Sequence, residues 1–233
     1  MELSRRLQAV ADLVSSGLTV ADVGTDHGYI PIYLIESGKC KTAFAMDVNE
    51  GPLLRAKEHI AEHGLTNQIE TRLSDGVGCL QVRECDAVVI AGMGGALTVR
   101  ILEEGTEIFR NLTEFILQPQ SELHKVREFL VSQGYCIVEE DMVKEDGKFY
   151  PMMKVINEQS EAYHAVELRY GKLLLAEKHP VLHEFLIKEK NTKKTILQNL
   201  QKESGFHIEV RKNEIKEELE EIEYALQRYY EGD

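Results

Sequence analysis

Along the first two thirds of the chain, short apolar runs alternate with longer segments in which apolar residues recur every three or four positions. The short runs TVADVG, TAFAMD, IETRL, DAVVIAG and EFILQP predict buried strands. Between them, YIPIYLIES, GPLLRAKEHIAEHG, a short GVGCL, ALTVRILEEGTEIF and ELHKVREFLVSQG predict helices. Pro52 near the start of the second of these and Gly64 at its end are the expected boundary residues. Such alternation implies a parallel sheet with helices on both faces. YCIVEEDMV and KFYPMMKVI, joined by KEDG, then read as a closing antiparallel hairpin. The expected fold class is α/β, a doubly wound and mostly parallel seven-stranded sheet.

After Asn157 the pattern becomes long, charged, Gly-poor and helical, with breaks at His179-Pro180 and at Ser204 to Phe206. The expected division is therefore 1–157 and 158–233. Ile215, Leu219, Ile222, Leu226 and Tyr229 are spaced four, three, four, three, the seam of a coiled coil. Leu182, Leu186, Ile196 and Leu200 are the expected opposing stripe, interrupted by Glu189 and Lys193, so the segment should form a helical hairpin.

Composition narrows the function classes. A chain of 233 residues with 43% hydrophobic content can bury a full core as one domain with an appendage. Charge interrupts every apolar run well short of the roughly 20 residues a membrane span needs. The first residues, MELSRRLQAVADLV, form an amphipathic helix pattern without a cleavable apolar core, so a cytoplasmic protein is expected. Cys40, Cys79, Cys85 and Cys136 include no C-x-x-C pair and read as reduced, buried thiols, with no metal site expected. A net charge of −13 opposes binding to polyanions. Between residues 188 and 216, however, Lys188, Lys190, Lys193, Lys194, Lys202, Arg211, Lys212 and Lys216 face only four acids, Glu189, Glu203, Glu209 and Glu214.

The chemistry concentrates in the turn after the first predicted strand. Glycines there let a ligand approach the backbone beyond the carboxyl end of the strand, a role that suits Gly24 and Gly28. A dinucleotide would call for G-x-G-x-x-G, but this turn reads GTDHG, and Asp22 and Asp26 together repel a pyrophosphate. They attract a cationic sulfonium instead, which points to S-adenosyl-L-methionine (SAM). Asp47 closes the second strand, where an acid can accept both ribose hydroxyls. Asp75 follows the third and can accept from an adenine amino group, and Gly92 to Gly95 form a small-residue floor after the fourth. A strand-end Asp alone is often a helix cap. Four such signals at successive strand ends, in order, are not explained that way.

The motifs DVGTDHGYIP, DVNEGPLLRAKEHI, RLSDG, VVIAGMGG and ILQPQ, followed by the helical hairpin, resemble the bacterial tRNA adenine N1-methyltransferases that modify adenine 22 in the D-loop, the TrmK family. The resemblance spans nearly the whole chain and departs at Gln120, where the family usually has Asn. It implies a Rossmann-like class I SAM-dependent methyltransferase domain with a coiled-coil C-terminal domain, and tRNA as acceptor. By position it puts the cofactor against Asp22, Gly24, Asp26, His27, Gly28, Tyr29, Asp47, Asn49, Asp75, Gly76, Gly92 and Met93.

Enzymes that methylate exocyclic amino groups carry an Asn/Asp-Pro-Pro-aromatic motif where this chain has GMGG. A ring nitrogen already offers an in-plane lone pair and mainly needs alignment with the methyl carbon. The candidate catalytic residues are Asp26, stabilising charge on the base through its amino group, His27, holding the pocket, and Tyr29, which with Tyr150 could stack on a flipped base. Lys188, Lys190, Lys193, Lys194, Arg211 and Lys212 are the candidate tRNA contacts, and a monomer is expected. Two other readings stay open. One is a small-molecule methyltransferase with the hairpin as lid or dimerisation arm. The other is a non-catalytic SAM-fold module that binds RNA or a protein.

Overall fold

The computed structural model describes residues 1–201 and 205–231. Lys202, Glu203 and Ser204, counted above in the basic stretch and the helix break, lie outside the described residues. The chain divides into two compact units, Met1–Tyr163 and His164–Asp233. The change in sequence texture after Asn157 precedes this division by a few residues. The Asn157 side chain donates to the Phe109 and Leu112 carbonyls, at 2.7 and 3.0 Å, which ties it to the first unit.

The first unit is built on a seven-stranded sheet in the order β3-β2-β1-β4-β5-β7-β6. Its strands are β1 (Val20–Val23), β2 (Ala43–Asp47), β3 (Ile69–Leu73), β4 (Ala87–Ala91), β5 (Glu114–Gln118), β6 (Cys136–Glu145) and β7 (Lys148–Ile156). The first five are parallel, and β7 runs antiparallel to both β5 and β6. β1 and β5 are buried along their whole length, as expected of strands covered on both faces. The β6–β7 hairpin turns at Asp146 and Gly147, with φ of 49° and 75°. Two consecutive positive φ values are what an Asp-Gly turn supplies to match the strand twist.

The helices are α1 (Arg5–Leu13), α2 (Tyr29–Glu36), α3 (Glu50–Glu62), α4 (Gly95–Glu104), α5 (Thr106–Phe109) and α6 (Leu123–Ser132). Two helical expectations need correction. GVGCL forms a turn: Gly76 adopts φ +56°, and the Ser74 hydroxyl accepts from the Cys79 amide and donates to the Gly76 carbonyl, replacing helical bonds. The segment read as one helix over ALTVRILEEGTEIF breaks at Gly105. There a Cβ would come within 2.3 Å of Val77, so packing requires glycine.

The second unit comprises α7 (Ala165–Tyr170), α8 (Lys172–Ala176), α9 (Pro180–Leu200), α10 (Phe206–Ala225) and a π-helical turn at Leu226–Glu231. Lys193 pairs with Glu218 and Lys190 with Glu223, so α9 and α10 run antiparallel. Ile215, Leu219, Ile222 and Leu226 are buried, as are Leu182 and Leu186. The expected stripe does not continue along α9, because Ile196 is 39% exposed and Leu200 only half-buried. On α10 the seven-residue period ends at Leu226, where the wider π turn takes Tyr229 to a half-buried position.

Candidate functional site

The strand order reverses between β1 and β4, and the carboxyl ends of β1 to β4 lie along one edge of the sheet. After β1 the chain turns through Gly24, His27 and Gly28, all left-handed, at φ of 77°, 63° and 67°. The turn is fastened to β2, whose Met46 carbonyl accepts from the Gly24 and Thr25 amides at 2.8 Å each. Gly24 is also required sterically: a Cβ there would meet the Met93 methyl at 2.2 Å. Beside the turn lies a cavity of about 320 Å³ lined by Arg6, Asp22, Gly24, Asp26, Tyr29 and Gly92, among others.

Asp22, 5% exposed, has its carboxyl pushed up to about 6, chiefly by burial and also by the neighbouring Asp47 carboxylate. The Thr25 hydroxyl opposes this rise from close by without reaching hydrogen-bonding geometry, and is itself buried with no partner among the described residues. His27 Nδ1 is likewise buried without a partner. The His27 carbonyl accepts from His59 Nδ1 at 3.1 Å, and the His27 ring stacks on Tyr29 and His59, centroids 5.1 and 5.0 Å apart. Asp26 is exposed. Its Oδ1 accepts from Arg55 Nη2 at 2.9 Å and lies 3.6 Å from His27 Nε2.

The remaining strand ends supply the other expected residues. Asp47 ends β2 and accepts the Asn49 amide at 2.7 Å; Asn49 is the exposed N-cap residue of α3. Asp75 follows β3 and is paired with Arg100 at 2.9 Å. With Gly76 it lines a second cavity, of about 400 Å³, walled by Val77, Leu80 and Ile101. Gly92, at φ 82°, and Met93 follow β4. Gly95 opens α4 where a Cβ would meet the Ser121 carbonyl at 2.4 Å, so the helix approaches the β5 loop only with glycine there.

A methyltransferase-domain family model matches residues 3–153. The Bacillus subtilis tRNA (adenine(22)-N(1))-methyltransferase is 36% identical over 192 residues, 82% of this chain and 77% of that one. The chain belongs to the tRNA (adenine(22)-N(1))-methyltransferase family. Among solved members, Bacillus subtilis TrmK is 30% identical with a TM-score of 0.85, covering 97% of this chain and 99% of that one. Mycoplasma capricolum TrmK, solved with S-adenosylhomocysteine, is 28% identical with a TM-score of 0.86, covering 98% and 100%. The Streptococcus pneumoniae protein Sp1610, solved with SAM, is 34% identical with a TM-score of 0.87, covering 97% and 100%.

Within this family member, the twelve expected cofactor positions all lie at the carboxyl edge of β1 to β4, whereas the six expected tRNA contacts lie on α9 and α10. Those cations are set among carboxylates. Lys190 and Lys194 each lie 3.2 Å from Glu223, and Lys193 contacts Glu189 and Glu218. Arg211 pairs with Glu214 and Lys212 with Glu209, both at 2.7 Å. Sequence reasoning missed Arg55 and His59, although their i, i+4 spacing on α3 puts both on one face. It also missed Gln118, which is fully buried and accepts from Arg6 at 2.9 Å. Among the described residues no group of three His, Cys, Asp or Glu side chains is placed to hold a metal, and no helix is long and apolar enough to cross a membrane.

Proposed function

We propose that this protein uses SAM to methylate N1 of adenine 22 in tRNA, acting in the cytoplasm. The carrying observation is the left-handed glycine turn at Gly24 and Gly28 beside the buried Asp22, facing the small loop Gly92 to Gly95. The residues present fit SAM. Among the described residues buried Asp22 forms no ion pair, Thr25 keeps a buried hydroxyl unpartnered, and a Cβ at Gly92 would have no neighbour closer than 3.6 Å. When bound, SAM supplies an electrophilic methyl group on a sulfonium.

The chain's own residues then do three things. Asp22 offers a carboxylate in a poorly solvated cavity, where its attraction for a cation is strong. Asp47 offers acceptors for ribose hydroxyls, and Asp75 one for an adenine amino group, exchanging Arg100 for it. Tyr29 supplies a ring face at the cavity for the target base. N1 of that base carries no proton, so its lone pair can form the new N–C bond as the C–S bond breaks, with the electron pair left on sulfur. No general base is required. Positive charge moves onto the base, where Asp26 can stabilise it through the amino group.

Support for the acceptor comes from the Bacillus subtilis relative. The test is nucleoside analysis of tRNA after incubation with SAM and the protein. 1-Methyladenosine is the expected product; N6-methyladenosine, or methyl transfer to small molecules alone, would overturn the assignment.

A further inference from the structure

The distal half of the helical hairpin has no closed core. The Lys193–Glu218 pair sets the register of α9 against α10, and among the described residues Ile215 is the last buried apolar side chain toward the tip. Beyond it Leu197, Leu200 and Ile208 are only half-buried, and Ile196, Val210 and Phe206 are exposed. Phe206, at 79%, is the most exposed large apolar side chain among the described residues. It opens α10, where Gly205 caps the helix at φ 144°, a conformation that favours glycine, and the Gly205 carbonyl accepts from the Glu209 amide at 3.0 Å. The ring is thus carried on an anchored backbone. Its ring contact is with His207, centroids 5.9 Å apart and planes at 72°, which leaves it open to a planar partner. A ring held in water gains by being covered.

Charge decides what covers it. Residues 191–201 and 205–216 hold Lys193, Lys194, Arg211, Lys212 and Lys216 against only Glu209 and Glu214, an excess of cations in a chain of net charge −13. Lys216 forms no ion pair among the described residues, and Arg211 stays half exposed beside Glu214. A second copy of the chain meeting this one tip to tip would bring the same excess of cations and be repelled. A folded RNA brings phosphates, which the cations attract, and unpaired bases, whose faces are planar and apolar. We propose that the hairpin tip is a stacking platform for an unpaired base of the tRNA, with Phe206 as the ring that covers the base and the surplus cations at the flanking phosphates; this rests on the tRNA reading of the substrate. Every base has a π-face, so such a platform selects exposed loops and adds affinity without reading sequence.

The test uses the full-length protein and tRNA. The chain contains no tryptophan, so Phe206→Trp installs a single indole at the tip, and the exposure of the site keeps the change out of the core. Saturating tRNA should quench the indole emission, and this variant should bind tRNA at least as tightly as the wild type does. Phe206→Ala should raise the Kd for tRNA about 5- to 150-fold, the range for one aromatic–base stack, with the log-log salt slope and the affinity for S-adenosylhomocysteine unchanged. Phe206→Leu, apolar but not planar, should behave like Phe206→Ala. Indole emission that tRNA leaves unmoved while it binds overturns the proposal, as does equal tRNA affinity in the wild type and Phe206→Ala. Full affinity in Phe206→Leu also overturns it, making the contact merely apolar. So does an indole emission that shifts with protein concentration in the absence of RNA, with a dimer in sedimentation, which would assign the tip to a second copy of the chain. If the wild type binds no tRNA, the substrate reading itself fails and takes the proposal with it, an outcome distinct from the other four.

Discussion

Replacing Asp22 by Asn should make the ligand-free protein more stable and the cofactor complex weaker. In the fold the Asp22 carboxyl is moved from its ordinary value, 3.8, to about 6, mainly by burial. A folded-state value above the unfolded one means that the native state holds the proton more tightly. Stability from that protonation is therefore complete below pH 3.8 and is lost as pH rises through 6. At roughly 1.4 kcal/mol per pH unit, that displacement makes ionised Asp22 a liability of about 3 kcal/mol above neutrality. Asp22→Asn keeps the size and removes the charge, so urea denaturation at pH 8 should show it more stable by about 1 to 3 kcal/mol, with the gain disappearing by pH 4. SAM binding reverses the sign, because a cation beside the carboxylate favours its charged form. Wild-type affinity for SAM should thus fall by up to tenfold per pH unit below pH 6, with uptake of SAM releasing a proton, while Asp22→Asn binds weakly at every pH. Calorimetry in buffers of different ionisation enthalpy measures the released proton directly. An Asn variant no more stable at pH 8 than the wild type, or a wild type whose SAM affinity is flat between pH 5 and 8, would refute the reasoning.

Three further outcomes follow from the same site and the helical unit. Asp47→Ala should weaken SAM by about 1 to 3 kcal/mol through loss of the ribose acceptor; unchanged calorimetric affinity removes Asp47 from the site. Asp26→Asn should depress kcat more than it raises KM for tRNA, and equal effects on both would reassign Asp26 to binding. If α9 and α10 contact tRNA, Glu218→Gln with Glu223→Gln removes the Glu223 pairs of Lys190 and Lys194 and the Glu218 pair of Lys193, which keeps its contact with Glu189, so tRNA should bind more tightly with a log-log salt slope steeper by roughly one to two. Neutralising Lys188, Lys190, Lys193 and Lys194 together should do the opposite and leave SAM affinity unchanged; no change in either variant places the RNA elsewhere.

The parallel strands were legible because a strand buried on both faces is largely apolar, as β4 is throughout and β1 is except at Asp22. The hairpin was legible because Asp146-Gly147 is one of few dipeptides suited to two positive φ values. Glycine marked the opening turn for the same reason, and the strand-end acids followed from the sheet order. What the sequence hid was pairing between distant elements. Nothing local connects Arg6 on α1 with Gln118 on β5, 112 positions away. The charge around the basic stretch was hidden for a related reason: a count ending at residue 216 excludes Glu218 and Glu223, which the antiparallel register of α9 and α10 returns to the lysines. GVGCL failed as a helix because the Ser74 side chain competed for its backbone groups, an effect that apolar spacing does not encode.

The most direct test of methyl transfer to N1 of adenine 22 is primer extension on tRNA treated with the protein and SAM, because a methyl on N1 blocks the base-pairing edge and arrests the polymerase. A new stop at position 22 is predicted, dependent on SAM and absent from a transcript carrying guanine there. A stop at another adenine, or methyl incorporation into tRNA without any stop, would contradict the account.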